Sequence, residues 1–144
     1  MQITPVTKIN FTEAVHVYRD SWRESHKDIC SIKFLQCRDY ETYLQNHLQG
    51  MYLLTDPEPV GIVRIFSGAL SDLYIHPQKQ GQGYGRMLVS FATAHNATRL
   101  TVLSSNKQAI ALYQKMGFSF TGNEKQLRHD LWELEMKLTE KNNG

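Results

Sequence analysis

Apolar and polar positions alternate along this chain with a period that switches between two and 3.6 residues. Residues 2–6 read as a short strand. Ala14, Val15, Tyr18 and Trp22 then recur at helical spacing, predicting an amphipathic helix capped by Asn10 and running to about Glu24, with Glu13 as capping-box partner. Residues 25–31 have no clear period and read as a loop. A second helical region follows, broken near Cys37 and Arg38, and ends at Gly50, a residue suited to the position after a helix. Residues 51–54, 60–66 and 70–75 are strand-like, separated by the turns 56–59 and Ser67-Gly68, and predict an antiparallel meander. Pro77 cannot donate to a ladder, so the third of these strands ends there.

A helix is predicted from Gly83 to about Asn96. Residues 100–103 are almost wholly apolar, as a buried parallel strand is. Asn106 caps the next helix and Gly117 terminates it. Residues 118–121 and about 130–138 are the last two strands, and the polar residues 139–144 read as a frayed tail. This element order predicts an α/β, three-layer domain. It has a mixed central sheet of about seven strands, helices on both faces and one parallel strand pair around a crossover helix. A chain of 144 residues is expected to form one domain, 1–144.

Composition narrows the function classes. With 41% hydrophobic and 21% charged residues the chain is ordinary globular material. A net charge of +2 is too mild to argue for nucleic acid or a membrane as partner. No apolar run approaches the roughly 18–20 residues that span a bilayer, and the first residues lack the basic and apolar regions of a signal peptide. A cytoplasmic location is expected. Cys30 and Cys37 then read as reduced, inert thiols whose spacing suits no zinc site, so no metal is expected.

Chemistry concentrates after residue 70. Gly81, Gly83 and Gly85 alternate between a strand and an apolar helical pattern that begins with Met87 and Leu88. Glycines at that junction bring backbone N–H groups, and the positive end of a helix macrodipole, against whatever lies above, which is a cradle for a phosphate or pyrophosphate. Arg86 stands where a dinucleotide fingerprint needs another spacing, and Gly85 is not followed by the Lys-Ser/Thr of a Walker A loop. The run Gln80-Gly81-Gln82-Gly83-Tyr84-Gly85 does match Q-x-x-G-x-G. A second run, from Asn106 through Ala109 and Tyr113 to Gly117-Phe118, matches N-x-x-A-x-x-x-Y-x-x-x-G-F. On these two motifs, in this order, the chain resembles the GNAT superfamily of acetyl-CoA-dependent N-acetyltransferases over roughly residues 60–122.

The resemblance implies acetyl-CoA as cosubstrate, a GNAT-like fold with a splayed parallel strand pair, and a primary amine, small molecule or peptide, as acceptor. A homodimer is compatible with it. It assigns the pyrophosphate to Gln80, Gly81, Gln82, Gly83, Tyr84, Gly85 and Arg86, and the pantetheine arm to the edge of Leu73, Tyr74 and Ile75, where an N–H can also polarise the thioester carbonyl. Asn106 would touch the pantetheine, and Tyr113 would protonate the departing thiolate. Read without the family, Asn106 is a helix cap and Tyr113 is part of a core-facing stripe with Ala109, Leu112 and Met116. The family's frequent strand glutamate has no counterpart in residues 68–71, which are Gly-Ala-Leu-Ser, leaving Asp72, His76, Glu24, His26 or a water relay as proton acceptor. By alternation, Asp72 faces away from Ser71 and Leu73. Trp22, Glu24, His26 and Phe34 are the candidate acceptor-binding residues. From residue 19 to 41 five cations balance five anions, which argues against a strongly acidic pocket for a polycation. The expected chemistry is direct attack of the amine in a ternary complex. A non-catalytic acyl-CoA-binding or sensor module of the same fold is the alternative.

Overall fold

A computed structural model describes residues 1–139. Seven strands form one mixed sheet in the order β1-β2-β3-β4-β5-β7-β6. They are β1 (Gln2–Pro5), β2 (Met51–Thr55), β3 (Pro59–Phe66), β4 (Ala69–Ile75), β5 (Arg99–Leu103), β6 (Phe118–Arg128) and β7 (Leu131–Leu138). The helices are α1 (Phe11–His26), α2 (Ile32–Cys37), α3 (Tyr40–Asn46), α4 (Tyr84–Ala94) and α5 (Lys107–Lys115), with one 3₁₀ turn at Pro77–Lys79. β4 and β5 pair in parallel through Ala69↔Arg99 and Leu70↔Leu100, while β1–β2, β2–β3, β5–β7 and β6–β7 are antiparallel. The expected α/β class, the mixed seven-stranded sheet and its parallel pair are therefore observed. Among the described residues no helix is long and apolar enough to cross a membrane.

The chain divides into two compact units, Met1–Arg64 with Asp72–Leu88, and Ile65–Ser71 with the described residues from Val89 onward. In the first, Ala14, Val17 and Tyr18 recur at i, i+3 and i+4 on α1 and are buried in a cluster with Leu44, Met51, Leu53 and Ile62. The predicted break near Cys37 and Arg38 is real. Cys37 ends α2, and Asp39 starts α3 by accepting hydrogen bonds from the Thr42 N–H at 2.9 Å and the Thr42 hydroxyl at 2.7 Å. In the second unit the Ser67-Gly68 turn takes positive φ at both residues, 56° and 78°, the geometry that closes a two-residue hairpin. Asn106 caps α5 through a bond from the Ala109 N–H, and Gly117 at φ 99° ends it.

Several boundaries differ from the sequence expectation. The Asn10 side chain does not cap α1. Its Oδ1 accepts from the Thr7 N–H at 2.7 Å and its Nδ2 donates to the Pro5 carbonyl, so the capping box with Glu13 does not form. α1 runs on to His26, into the expected loop, and α3 stops at Asn46, so Gly50 serves the turn into β2 instead of a helix end. β6 extends to Arg128 because β7 supplies a backbone partner along an exposed strand that has no apolar alternation. Of the expected tail, residues 140–144 lie outside the described residues. Thr139 donates from its N–H and its hydroxyl to the Gly117 carbonyl, at 2.8 and 2.7 Å.

Gly61 on β3 lets the neighbouring backbone approach closely. A Cβ there would stand 2.8 Å from Ile75 Cδ1 and 3.1 Å from the Tyr74 carbonyl oxygen. Gly61→Val is expected to cost about 1–3 kcal/mol by overpacking, read as a lower midpoint in equilibrium urea unfolding, and an unchanged midpoint would contradict this packing.

Candidate functional site

The first unit builds a cradle from the end of β4 to the start of α4. The His76 N–H donates to the Val60 carbonyl at 2.8 Å, and the Gln80 side chain donates to the Ile75 carbonyl at 3.2 Å, fixing the turn against the strand it leaves. Gly81 and Gly83 adopt φ of 80° and 88°, a region that favours glycine, and a Cβ built on either meets nothing within 4 Å. Beyond them α4 starts at Tyr84, and its first N–H groups have no intrahelical acceptor by geometry. The Tyr84 hydroxyl donates to Asp56 at 2.7 Å, which raises its own pKa, so the ring anchors the helix start to the β2–β3 turn. Arg86 is exposed and joins no ion pair among the described residues. The result is an open, donor-rich concavity with a cation beside it, chemistry that suits a pyrophosphate.

On β4 the alternation expected from the sequence is interrupted. Asp72 takes φ of 51°, and its carboxylate accepts the Tyr43 hydroxyl at 3.0 Å on both oxygens. Burial first, and then the Asp72 charge, push the Tyr43 phenol pKa well above its ordinary value. Tyr74 packs edge-on against Tyr18 at 5.6 Å, so its ring belongs to the core while its backbone follows β4. His76 has partners at both ring nitrogens, the Gln78 N–H on Nδ1 and Asp20 at 3.4 Å from Nε2.

Three of the four candidate acceptor residues converge. Trp22 stacks on His26 at 3.7 Å and lies 6.2 Å from Phe34. Glu24 stands apart, paired with Lys27 at 2.8 Å on the solvent side. Around Trp22 the structure adds Tyr18, Tyr40, Tyr43 and the Arg38 guanidinium, none of which the sequence singled out as functional. Arg38 lies 4.1 Å from the Trp22 ring centre and 4.8, 5.0 and 5.4 Å from those of Tyr40, Tyr43 and Tyr18. Their spacing in the sequence carries no signal, because the box closes only when α1, α2 and α3 pack. Burial, and secondarily the Arg38 charge, hold the His26 pKa below the ordinary imidazole value. His26 Nδ1 lies 3.0 Å from the Trp22 carbonyl and 2.7 Å from the Ser25 hydroxyl; in the neutral tautomer that donates from Nδ1 to the carbonyl, Nε2 carries the lone pair.

In the second unit Tyr113 is buried at 6% exposure, its ring edge-on to Phe118 at 6.1 Å. The Tyr113 ring is thus packed in the core, and the Asn106 side chain caps α5. Cys30 and Cys37 are free thiols, the latter exposed.

Residues 40–120 match the family described as acetyltransferase (GNAT) domain. The chain is 41% identical over 66 residues to the peptidyl-lysine N-acetyltransferase YjaB of Salmonella typhimurium, a stretch covering 45% of this chain and 46% of that one. The match thus spans just under half of the relative's length. The solution structure of apo-form YjaB from Escherichia coli superposes with a TM-score of 0.72 at 23% identity, covering 94% of this chain and 95% of the other. A paia N-acetyltransferase from Thermoplasma acidophilum, solved in complex with coenzyme A, gives 0.66 at 18% identity over 94% and 98%. At these identities the two structures speak for the fold.

The lowered His26 pKa has a consequence for stability. The unfolded chain binds a proton at His26 near pH 6.5 and the folded chain only at lower pH, so folding loses free energy as pH falls below about 6.5. Urea unfolding between pH 7.5 and 5 should therefore show a shallower decline for His26→Gln than for the parent chain, and parallel declines would contradict the assignment.

Proposed function

The chain belongs to the GNAT acetyltransferase family, and on that premise we propose that it moves the acetyl group of acetyl-CoA to a primary amine within a ternary complex. One observation carries this reading. Gly81 and Gly83 hold left-handed backbone at the mouth of α4 with nothing in front of them, which leaves a space a side chain would fill and a pyrophosphate can use. The coenzyme A bound by the Thermoplasma neighbour and the lysine acceptors named for the YjaB relative support the two substrate classes.

The amine's lone pair attacks the thioester carbonyl carbon, the carbon–sulfur bond breaks, and coenzyme A leaves as a thiolate. The N–H groups of Gly83 to Arg86 and the Arg86 guanidinium bind the pyrophosphate, and the backbone of Leu73 to Ile75 holds the pantetheine amides. Tyr113 supplies a proton to the thiolate, a role that rests on its place in the family signature. The amine's own proton leaves through water, with the His26 Nε2 lone pair as its destination. His76 is not given this role because both its ring nitrogens are engaged, and the Asp72 carboxylate already accepts the Tyr43 hydroxyl. No acyl-enzyme forms, so Cys30 and Cys37 have no part in the chemistry.

Calorimetric titration with acetyl-CoA tests the cradle. The parent chain should bind it and should not bind NAD comparably. Gly83→Val should weaken acetyl-CoA binding at least about tenfold, roughly 1.4 kcal/mol, while the circular dichroism spectrum stays native. Equal affinity in a folded variant would remove the loop from the account. Tyr113→Phe keeps the ring against Phe118 and should lower kcat about a hundredfold with acetyl-CoA affinity unchanged. A kcat within about twofold of the parent, far short of a general acid's contribution, would make Tyr113 a packing residue. Tight acetyl-CoA binding with no thiol release from any amine would instead identify a CoA-binding module.

A further inference from the structure

We propose that Arg38 is the anchor of acceptor recognition, its guanidinium binding a carboxylate that the acceptor carries near its amine. The word acceptor rests on the transferase reading above, whereas the carboxylate site does not.

Arg38 follows the last residue of α2, where its N–H donates to the Phe34 carbonyl at 3.0 Å, and its side chain enters the box of Tyr18, Trp22, Tyr40 and Tyr43. Ring faces stabilise the charge of a guanidinium, but they accept none of the N–H bonds in its plane. Nη2 donates to the Tyr18 hydroxyl at 3.0 Å. Nη1 is buried and has no hydrogen-bond partner. Arginine is rarely enclosed unless paired, and a buried charged N–H left unmade is costly.

Carboxylates nearby are already committed. Asp39 accepts from Thr42 at the start of α3, Asp72 accepts the Tyr43 hydroxyl, and Asp20 lies against Arg19 and His76. Arg38 takes part in none of the ion pairs among the described residues. The neighbouring Arg23 differs, since its guanidinium is held by the Leu35 and Gln36 carbonyls and clamps α2 to α1. Arg38 Nη1 therefore keeps an unmade hydrogen bond, while the Arg38 charge also acts on the Asp39 carboxylate and the Asp72 charge reaches the same two rings, Tyr18 and Tyr43.

The box selects a planar group with a single charge. Its walls are flat rings, and Arg38 is the guanidinium that brings a buried N–H without a partner to them, whereas Arg23, 5.2 Å from the Tyr40 ring centre, is held by backbone carbonyls. One such charge favours a carboxylate over a doubly charged phosphate. Its position fits an acceptor. Tyr43 touches the guanidinium with its ring and Asp72 with its hydroxyl, so the anchor lies one side chain away from the kink in β4. Phe34, 51% exposed and 6.2 Å from the Trp22 ring, is the ring at the solvent edge.

The shared chemistry has two sources, the α-carboxylate of a free amino acid and an acidic side chain next to a lysine in a peptide. Binding is read without catalysis from the Trp22 indole ¹⁵N–¹H signal in a Trp132→Phe background, titrated with N-acetylglycine and with its neutral amide. The carboxylate should give a saturable shift that is at least tenfold weaker in Arg38→Met, and the amide should give none. Identical responses to the two probes overturn the proposal, even if the variant does not fold. Turnover is compared for lysine against lysinamide, and for acetyl-Glu-Lys-amide against acetyl-Gln-Lys-amide. At least one pair should favour the carboxylate by roughly 10–100-fold in kcat/KM, through KM, as a charged hydrogen bond predicts, and Arg38→Met should erase the ratio. The pair that responds identifies the source. Turnover without preference in either pair, and without an indole response, overturns the anchor and leaves the transferase reading standing. An indole response without turnover of any amine supports the anchor and counts against the transferase reading.

Discussion

An aspartate in left-handed backbone inside a strand is the constraint from which the first unit takes its shape. At Asp72 the φ of 51° breaks the regular pleat of β4, a conformation that costs on the order of 1–3 kcal/mol for a residue with a Cβ. The Tyr43 hydroxyl offsets it by donating to the charged carboxylate, an interaction of similar size at about 1.5–3 kcal/mol. Tyr43 is available there because the Asp39 cap starts α3 one turn earlier, and because its ring stacks on Tyr18 of α1 at 5.2 Å, nearly parallel. Cap, stack and hydroxyl thus join α3, α1 and β4 at one point. Downstream of the kink, Ile75 receives the Gln80 side chain, and the glycine turn follows from there.

Features written in local backbone chemistry were legible in the sequence. Glycines at fixed spacing before a helix, Asn106 ahead of α5 and Gly117 after it each answer a requirement met within a few residues, and each was found where it was expected. The seven strands were legible for the same reason, except for the length of β6. That strand runs from Phe118 to Arg128 with register shifts and an exposed surface, so only its pairing with β7 makes it a strand. Asn10 shows the converse. It has the right residue type for a cap, but the nearby Thr7 N–H and Pro5 carbonyl compete for its side chain and win.

Side-chain convergence was the part the sequence could not disclose. Trp22, His26 and Phe34 were picked from a segment by residue type, and the packing of α1 and α2 does bring them together. Glu24, between Trp22 and His26 in sequence, points to Lys27 instead, since helical rotation separates it from them. Arg38 looked like one of five balanced cations, and its enclosure by four rings depends on three helices at once. Asp72 and His76 were selected as bases for their side-chain chemistry. Both turn out to hold the scaffold, through Tyr43 and through Asp20 and Gln78. The phosphate side of the proposed site is thus a matter of backbone and the acceptor side a matter of aromatic packing, which explains why one was readable and the other was not.

Backbone amide shifts on titration with coenzyme A address the central claim most directly, because the account makes the N–H groups themselves the binding elements. The account predicts that the largest ¹⁵N–¹H shifts fall on residues 81–86, with a second set on Leu73 to Ile75, and that they saturate together. Saturable shifts confined to other parts of the chain, or none at concentrations well above those of ordinary coenzyme A binding, would contradict it.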